Sequence, residues 1–305
     1  AGAPVSKYDD LPMILQKLAC GGIAGSVSKT LIAPLERVKI LFQVNSAQYP
    51  YTGIVSTLQR IVAREGFLGL YSGNAASVAR VFPYAAIQFV SFDFFRNVIS
   101  PDRTSASLWA NFVAGALAGA TSVVFTYPLD VTRARLAVQI SSEGRQYTGL
   151  IHAFKQMWKT EGGIKALYRG VGPTMLGIFP YAGINFFTYH TLKWYYIHEW
   201  TDNKDIPTPT RLLFGSCAGM LGQTVVYPLD VIRRRMQIDG VTSGKSAFSY
   251  KYQSSWTALK HIYRTEGWKM LFRGLHINYI KVVPLVSVSF TVNDVLRSFL
   301  GIEER

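Results

Sequence analysis

The chain has 305 residues and a formal net charge of +14 at pH 7; 49% of its residues are hydrophobic and only 16% are charged. This length could form one or two soluble domains, but an apolar composition with clustered hydrophobic residues is typical of a helical membrane protein. Because the positive charge is concentrated in connections between apolar stretches, we ascribe it to membrane topology and expect no binding to nucleic acids.

Six apolar segments are candidate membrane spans, since each is near or above the roughly 20 residues that cross a bilayer as a helix. They lie at about residues 13–43, 74–99, 108–139, 171–198, 210–237 and 276–298. An even number of spans predicts that both termini lie on the same side of the membrane.

The first, third and fifth spans each contain a proline that is followed by an acidic and then a basic residue. The three motifs are Pro34-Leu35-Glu36-Arg37-Val38-Lys39, Pro128-Leu129-Asp130-Val131-Thr132-Arg133 and Pro228-Leu229-Asp230-Val231-Ile232-Arg233. Their spacing of about a hundred residues indicates an internal repeat. We predict three repeats, at residues 1–103, 104–203 and 204–305, which together form one transmembrane domain.

The same three spans carry pairs of glycines four residues apart. These pairs are Gly21 and Gly25, Gly115 and Gly119, and Gly215 and Gly219. Glycines at this spacing share one helix face and allow another helix to approach closely in a membrane. The pattern therefore predicts that the first helix of each repeat packs through glycine.

After each motif, a polar loop leads to an amphipathic segment that ends in Glu-Gly. The pairs are Glu65-Gly66, Glu161-Gly162 and Glu266-Gly267, and the elements Tyr71-Ser72-Gly73, Tyr168-Arg169-Gly170 and Phe272-Arg273-Gly274 follow before the next span. This pattern predicts a short helix on the membrane surface, closed by a glycine. Lys and Arg outnumber Asp and Glu in these three loops, which indicates that the loops face the negatively charged compartment.

In its three motifs, Glu-Gly pairs and aromatic-x-Gly elements, the chain resembles the mitochondrial carrier family over essentially its full length. The resemblance implies an all-α membrane protein with six transmembrane helices in three repeats of pseudo-threefold symmetry, plus three short matrix surface helices. It also implies a multi-pass protein of the inner mitochondrial membrane that exchanges solutes by alternating access, with both termini toward the intermembrane space. We expect a monomer that binds membrane lipids, including cardiolipin at the matrix side.

The acid and the base of each motif are three residues apart and project from one helix face. In a threefold ring, each acid can meet the base of the next repeat, which predicts the ion pairs Glu36–Arg133, Asp130–Arg233 and Asp230–Lys39. Buried ion pairs give back much of their Coulomb energy as desolvation cost, so we interpret this ring as a matrix gate that substrate binding can open. The alternative is a static set of contacts between helices.

By resemblance, Gln43 and Gln237 brace the matrix gate with additional hydrogen bonds. The second repeat has Ala137 at this position, and the first repeat has Leu41 where the family usually has a second basic residue.

The resemblance implies a second ring of ion pairs at the cytoplasmic mouth, built from Asp93, Arg96, Lys193, Asp294 and Arg297. The predicted pairs are Asp93 with Lys193 and Asp294 with Arg96. His190 replaces the third acid, opposite Arg297, so we expect this gate to be the weaker one.

Three cations, Lys29, Arg80 and Lys281, lie inside the predicted spans at positions where the repeats differ. An ionisable residue in a membrane without an evident acidic partner is a candidate for function, because its charge is costly unless water or a ligand meets it. The three cations indicate a substrate with several negative charges, and arginine geometry favours phosphate. The alternative is that these side chains snorkel or bind backbone carbonyls.

The second, fourth and sixth spans each contain a proline, and positions three before, one after and five after it share a helix face. These positions, together with the residue that follows Gly177, supply the other candidate substrate-binding residues: Tyr84, Gln88, Gly177, Ile178, Tyr181 and Asn185. Gly177 leaves a slot that a flat base can enter, and Tyr181 can stack on that base. Within the family, a Gly-Ile pair here with a basic residue on the sixth helix is similar to carriers of adenine nucleotides.

The segment from Gly73 to Phe89 looks most like that of the mitochondrial coenzyme A carriers. We predict exchange of coenzyme A, an anionic nucleotide-like substrate, against an adenine nucleotide such as adenosine 3′,5′-diphosphate. A carrier of the ADP/ATP or ATP-Mg/phosphate type is the alternative, and an uncoupling protein of the same fold is a third interpretation. The five histidines form no metal-ligand or catalytic grouping, so we expect no enzyme activity, no catalytic residues, no metal and no cofactor.

Overall fold

The computed structural model describes residues 11–46, 48–100, 108–139, 147–199, 206–239 and 252–299. The predicted repeat boundaries at 103 and 203, and both termini, lie outside these residues. Within the described ranges, the regular secondary structure is helical, with ten α-helices and short 3₁₀ turns at Phe67–Tyr71 and Trp268–Phe272.

The six long helices form three pairs along the chain, and the shorter helices lie between the two members of each pair, as expected from the repeats. The long helices are α1 (Leu11–Gln43), α3 (Asn74–Ile99), α4 (Leu108–Val138), α7 (Val171–Glu199), α8 (Thr208–Ile238) and α10 (Leu275–Phe299). The short ones are α2 (Ile54–Glu65), α5 (Leu150–Thr160), α6 (Ile164–Leu167) and α9 (Ser255–Glu266). Every predicted span agrees with a long helix to within two residues at each end.

The long helices form a ring in which each packs against its neighbours in the order α1, α3, α4, α7, α8, α10 and back to α1. The three helices that carry the motifs, α1, α4 and α8, also contact one another. The bundle is therefore closed near the motifs, and we call this the motif end and the other end the opposite mouth.

Five of the long helices are apolar enough over a sufficient length to cross a membrane: Leu18–Gln43, Phe67–Ile99 with its preceding turn, Trp109–Val138, Thr208–Ile238 and Trp268–Phe299. The sixth long helix, α7, has 29 residues and is therefore also long enough to cross a membrane. Large side chains such as Phe94, Phe125 and Val283 are more than 60% exposed on the outside of the bundle, where lipid would cover them.

Three hydrophobic cores, one per repeat, stabilise the motif end. Each joins the end of a motif helix to the short helix that follows it; in the first repeat, Val38 and Leu41 pack with Ile61 of α2. The second core contains Val131 and Met157 of α5, and the third contains Ile232, Met236 and Ile262. The hydrophobic core of each repeat is therefore built around the end of the helix that carries its motif.

The glycine of the aromatic-x-Gly element allows a close approach between neighbouring repeats. Gly73 and Gly170 have positive φ angles, +85° and +83°, which residues other than glycine rarely adopt. A Cβ atom at Gly73 would lie 2.8 Å from the carbonyl oxygen of Arg133, and one at Gly170 would lie 3.0 Å from that of Arg233. Each second helix thus begins against the motif helix of the next repeat.

The prediction that the paired glycines bring helices into close contact is wrong for most of them. Among the described residues, a Cβ atom at Gly21, Gly119, Gly215 or Gly219 would meet no atom within 4 Å, and of these six paired glycines only Gly25 has a neighbour closer than 3.4 Å. The spacing correctly indicates that these glycines share a face, but in α4 and α8 that face borders cavities instead of a helix.

Candidate functional site

The three ion pairs expected at the motif end are all present. Lys39 Nζ lies 2.8 Å from Asp230 Oδ2, Arg233 Nη2 lies 2.5 Å from Asp130 Oδ2, and Arg133 binds Glu36. Their side chains are between 1% and 17% exposed. Together these six residues form what we call the motif-end network, which joins each repeat to the next.

Two glutamines stabilise this network, as the resemblance implied. Gln43 Nε2 donates hydrogen bonds to Asp230 (3.0 Å) and to the hydroxyl of Tyr227 (3.2 Å). Gln237 Nε2 does the same for Asp130 (2.8 Å) and Tyr127 (3.1 Å). The pair of Glu36 and Arg133 has no such glutamine, because Ala137 occupies that position.

Two tyrosines also belong to this site, although no sequence pattern had indicated them. Tyr127 and Tyr227 are both fully buried and directly precede a motif proline, whereas the first repeat has Ala33 there. Arg233 lies over the Tyr127 ring at 5.6 Å and Lys39 over the Tyr227 ring at 5.4 Å. Each tyrosine therefore contacts the cation of one ion pair through its ring, and the glutamine that braces the same pair through its hydroxyl.

A second set of buried arginines, also missed, ties the repeats together through backbone carbonyls. Arg135 Nε donates to the carbonyl oxygen of Gln237, and Arg235 Nε to that of Gln43, both at 3.0 Å. Each guanidinium also binds the glutamate of its own Glu-Gly pair, Glu161 and Glu266 respectively.

In the first repeat, Arg37 supplies the contacts that the residue at position 41 cannot. Arg37 Nε donates to the carbonyl oxygen of Ala137 at 3.0 Å, and Nη2 lies 2.7 Å from Glu65. Leu41 is instead part of the first hydrophobic core. The phenol of Tyr49 also donates to Glu65, at 2.6 Å. Burial, together with this hydrogen bond, raises the pKa of Tyr49, so the phenol keeps its proton.

Two of the three cations inside the spans do have acidic partners, contrary to expectation. Arg80 Nη1 lies 3.2 Å from Asp130 Oδ1, and Lys281 Nζ lies 3.2 Å from Glu36 Oε1. Both acids belong to the motif-end network, which the sequence had placed apart from the substrate-binding residues. The cations therefore share carboxylates with the network instead of standing alone.

Positive charge nevertheless exceeds negative charge at this level of the bundle. Lys29 has no hydrogen bond or ion pair within the described part of the chain, and it interacts electrostatically with Arg133, Arg80, Asp130 and Lys281. Among the described residues, the three network carboxylates face seven cations: Lys29, Lys39, Arg80, Arg133, Arg233, Arg234 and Lys281. An anion that enters here finds cations that the protein's own acids do not neutralise.

A cavity of about 660 Å³ lies between α3, α4, α7 and α8, and it contains most of the predicted substrate-binding residues. Its walls include Tyr84, Gln88, Ile178, Tyr181 and Asn185. The guanidinium of Arg80 lies 5.0 Å from the centre of the Tyr84 ring. This part of the predicted site is thus brought together by the fold.

A second cavity of about 620 Å³ lies between α7, α8 and α10. Lys281, Tyr181 and Asn185 line it, together with Lys39 and Arg234 of the motif end. Arg234 was not among the predicted site residues, although the other repeats have Ile40 and Ala134 at its position, and this difference could have drawn attention to it.

The slot predicted at Gly177 is present as a smaller cavity of about 200 Å³, lined by Gly177, Ile178 and Tyr181 and reaching Asp230 and Arg233. A Cβ atom at Gly177 would have one neighbour within 4 Å, Leu229 at 3.8 Å, so the missing side chain does leave space.

The two ion pairs predicted for the second gate are not formed between their described residues. Neither the pair of Asp93 and Lys193 nor that of Asp294 and Arg96 is present, and both acids are exposed. His190 lies 4.2 Å from the Phe186 ring, between ring centres. In the described part of the chain, the three predicted ion pairs of the motif end are thus formed, whereas these two at the opposite mouth are not.

Comparisons with known proteins agree with this architecture. The profile of the family described as "Mitochondrial carrier protein" matches residues 12–103, 104–200 and 204–304. The maize "Mitochondrial carrier protein CoAc1" is 40% identical, over 98% of this chain and 91% of its own length. The human "Solute carrier family 25 member 16" is 42% identical over 93% of this chain and 88% of its own. The Xenopus tropicalis "Mitochondrial coenzyme A transporter SLC25A42" is 42% identical over 94% and 86%, respectively.

Proposed function

The chain belongs to the mitochondrial carrier family, and from this premise we propose that it exchanges coenzyme A for an adenine nucleotide such as adenosine 3′,5′-diphosphate. Members of this family are multi-pass membrane transporters of mitochondria. In the proposed orientation, the protein lies in the inner membrane with its motif end toward the matrix and both termini toward the intermembrane space. The observed form is then open to the cytoplasmic side.

The observation that carries this proposal is the surplus of cations beside a slot without a side chain. Coenzyme A carries a pyrophosphate, a 3′-phosphate and an adenine ring. Lys29, Arg80 and Lys281 match the phosphates in charge, and the space at Gly177 matches the flat ring beside Tyr181. A relative that is named as a coenzyme A transporter supports the same substrate.

The contacts of Arg80 and Lys281 suggest how cargo opens the matrix gate. Both cations hold carboxylates of the motif-end network, at 3.2 Å. A phosphate that binds them competes with Glu36 and Asp130 for these two cations. Each acid then loses one of its cationic partners, which lowers the stability of the closed motif end. Binding energy is thereby coupled to the opening of the motif end.

Exchange by the purified protein in liposomes tests the proposal. We expect labelled coenzyme A to enter vesicles that contain adenosine 3′,5′-diphosphate, and Lys281→Ala to lower this rate by about tenfold or more, since one lost charge contact is worth over 1.4 kcal/mol. The matched control is Lys165→Ala, which removes an exposed lysine of α6 and should leave exchange unchanged.

Other outcomes would identify another carrier. Exchange of ATP but not of coenzyme A would favour a carrier of the ADP/ATP or ATP-Mg/phosphate type, and proton flux without solute exchange would favour an uncoupling protein. Coenzyme A exchange at the original rate by Lys281→Ala would remove this residue from the site. A monomeric state and cardiolipin binding at the matrix side stay predictions.

A further inference from the structure

Two large cavities meet inside the bundle. The 660 Å³ cavity between α3, α4, α7 and α8 and the 620 Å³ cavity between α7, α8 and α10 share Tyr181, Asn185 and Gly215 in their walls. Each has a volume within the roughly 300–1,000 Å³ that is usual for a small-molecule site. One extended ligand can therefore occupy both, crossing at Tyr181.

The two cavities are built on the same face of sister helices. Four residues of α4, spaced by four, line the first: Asn111, Gly115, Gly119 and Val123. Four residues of α8 line the second: Arg211, Gly215, Gly219 and Gln223. Each of these stands at the same position relative to the motif proline, Pro128 or Pro228. The walls therefore differ through residue identity at equivalent positions.

The chemistry of the two walls differs sharply. Among the described residues, the first cavity has no charged side chain in its wall, so we call it the neutral cavity. Three amides, Gln88, Asn111 and Asn185, line it beside aromatic rings such as those of Phe112 and Phe186. The Oδ1 atom of Asn111 is buried and has no hydrogen-bond partner within the described ranges.

The second cavity carries the positive charge, and we call it the cationic cavity. Its wall contains Lys39, Arg211, Arg234 and Lys281, with Asp230 as the single acid among its described residues. Asn278, only 4% exposed, also lines it, and its Oδ1 atom has no hydrogen-bond partner in the part of the chain that the structure describes.

Resting on the proposed function, we infer that the neutral cavity binds the pantetheine arm of coenzyme A while the cationic cavity binds its phosphates. The arm is uncharged and contains two amide bonds, which need hydrogen-bond donors and acceptors when they leave water. Side-chain amides supply both. The phosphates need cations, and these line the other cavity. The nucleotide and the arm therefore lie on opposite sides of Tyr181.

Filling each cavity at an equivalent glycine separates the two halves of the substrate. We expect Gly119→Leu to lower coenzyme A exchange by about tenfold, because the leucine side chain occupies space that the pantetheine arm needs. Exchange of adenosine 3′,5′-diphosphate, which lacks the arm, should stay within about twofold of wild type. A Cβ atom at Gly119 meets nothing within 4 Å, so the fold should accept the change.

Gly219→Leu is the matched control, since Gly219 has the same place in its repeat and equally open space. The leucine side chain would occupy part of the cationic cavity. Because both substrates carry phosphates, this variant should lower the exchange of both. Asn111→Leu, which replaces the amide at similar volume, tests the neutral cavity without filling it, and it should impair coenzyme A exchange alone. Thermal unfolding of each purified variant checks that it is folded.

The results distinguish the inference from the function on which it rests. If Gly119→Leu and Asn111→Leu impair both substrates equally, or neither, while the wild-type protein exchanges coenzyme A, the inference is wrong and the proposed function stands. If the wild-type protein does not exchange coenzyme A at all, the proposed function fails first.

Discussion

Arg37 shows how a side chain one helical turn away can replace a missing residue. In the second and third repeats, an arginine seven positions after the motif proline donates to a carbonyl of the next repeat. The first repeat has Leu41 there, yet Arg37 reaches the equivalent carbonyl, that of Ala137. Residues four apart lie on the same helix face, so a long guanidinium can cover the distance.

We expect Arg37→Leu to lower the free energy of unfolding by about 3–5 kcal/mol, because it breaks the buried ion pair of Arg37 with Glu65. Thermal unfolding in detergent measures the effect. The double variant Arg37→Leu with Glu65→Gln should recover part of the loss, since it also removes the charge that Arg37 had bound. Arg64→Leu, which loses an exposed arginine of α2, is the control.

Equal stability of Arg37→Leu and the Arg64→Leu control would contradict the view that Arg37 holds the first and second repeats together.

The sequence allowed the residue types of the site to be predicted better than their contacts. The asymmetric positions of Arg80 and Lys281 were visible along the chain, but their partners were not. Arg80 meets Asp130, and Lys281 meets Glu36 from the far end of the sequence. Such pairs form only when helices from different repeats pack together, so no local sequence pattern predicts them.

At the scale of helices, the ends of α1, α4 and α8 decide whether the motif end is open or closed. Each of these helices contributes an acid, a base and, in two cases, a glutamine to the contacts between repeats. Since Gln43 and Gln237 each add one donor to a buried carboxylate, they stabilise the closed arrangement and are absent from the pair of Glu36 and Arg133.

Removing either glutamine should destabilise the observed form. We expect Gln43→Ala and Gln237→Ala each to lower the unfolding midpoint by a few degrees, because a hydrogen bond to a charged group is worth about 1.5–3 kcal/mol. The two losses should add, since they affect separate ion pairs. Gln156→Ala on α5 is the control, and unchanged midpoints in the two gate variants would count against the bracing role.

Helix bounds were predicted closely because long apolar segments with terminal glycines are local signals, as at Gly73 before α3. What a helix face contacts is a different matter. The glycines of α4 share a face as the sequence predicts, but whether that face meets a helix or a cavity depends on the tilt of neighbouring helices. The sequence contains no local trace of that tilt.

At the scale of the whole molecule, three ion pairs between repeats join the motif end. At the opposite mouth, Asp93 and Asp294 do not pair with the bases expected for them. The closed end holds more cations than acids, so it attracts an anion. Opening the closed end without cargo costs free energy, since its acids would lose their cationic partners. Cargo is therefore needed for each half of the cycle.

We expect uptake of labelled coenzyme A to depend on a charged substrate inside the vesicle. Liposomes preloaded with adenosine 3′,5′-diphosphate should take up label about tenfold or more faster than empty ones, because reorientation without cargo breaks the motif-end network uncompensated. Preloading with uncharged adenosine is the control and should give no stimulation. Equal uptake by empty and loaded vesicles would show that the network does not couple cargo to opening.

The arginine-to-carbonyl bonds run from the first repeat to the second, from the second to the third, and from the third back to the first. These bonds form a closed ring, so no repeat is structurally the first. A gene rearranged to encode the repeats in the order two, three, one would keep the same neighbours around the ring. The order one, three, two would instead place each arginine beside a repeat that it does not contact in the observed structure. Permuted and shuffled chains should thus differ in whether they fold, although both contain identical parts.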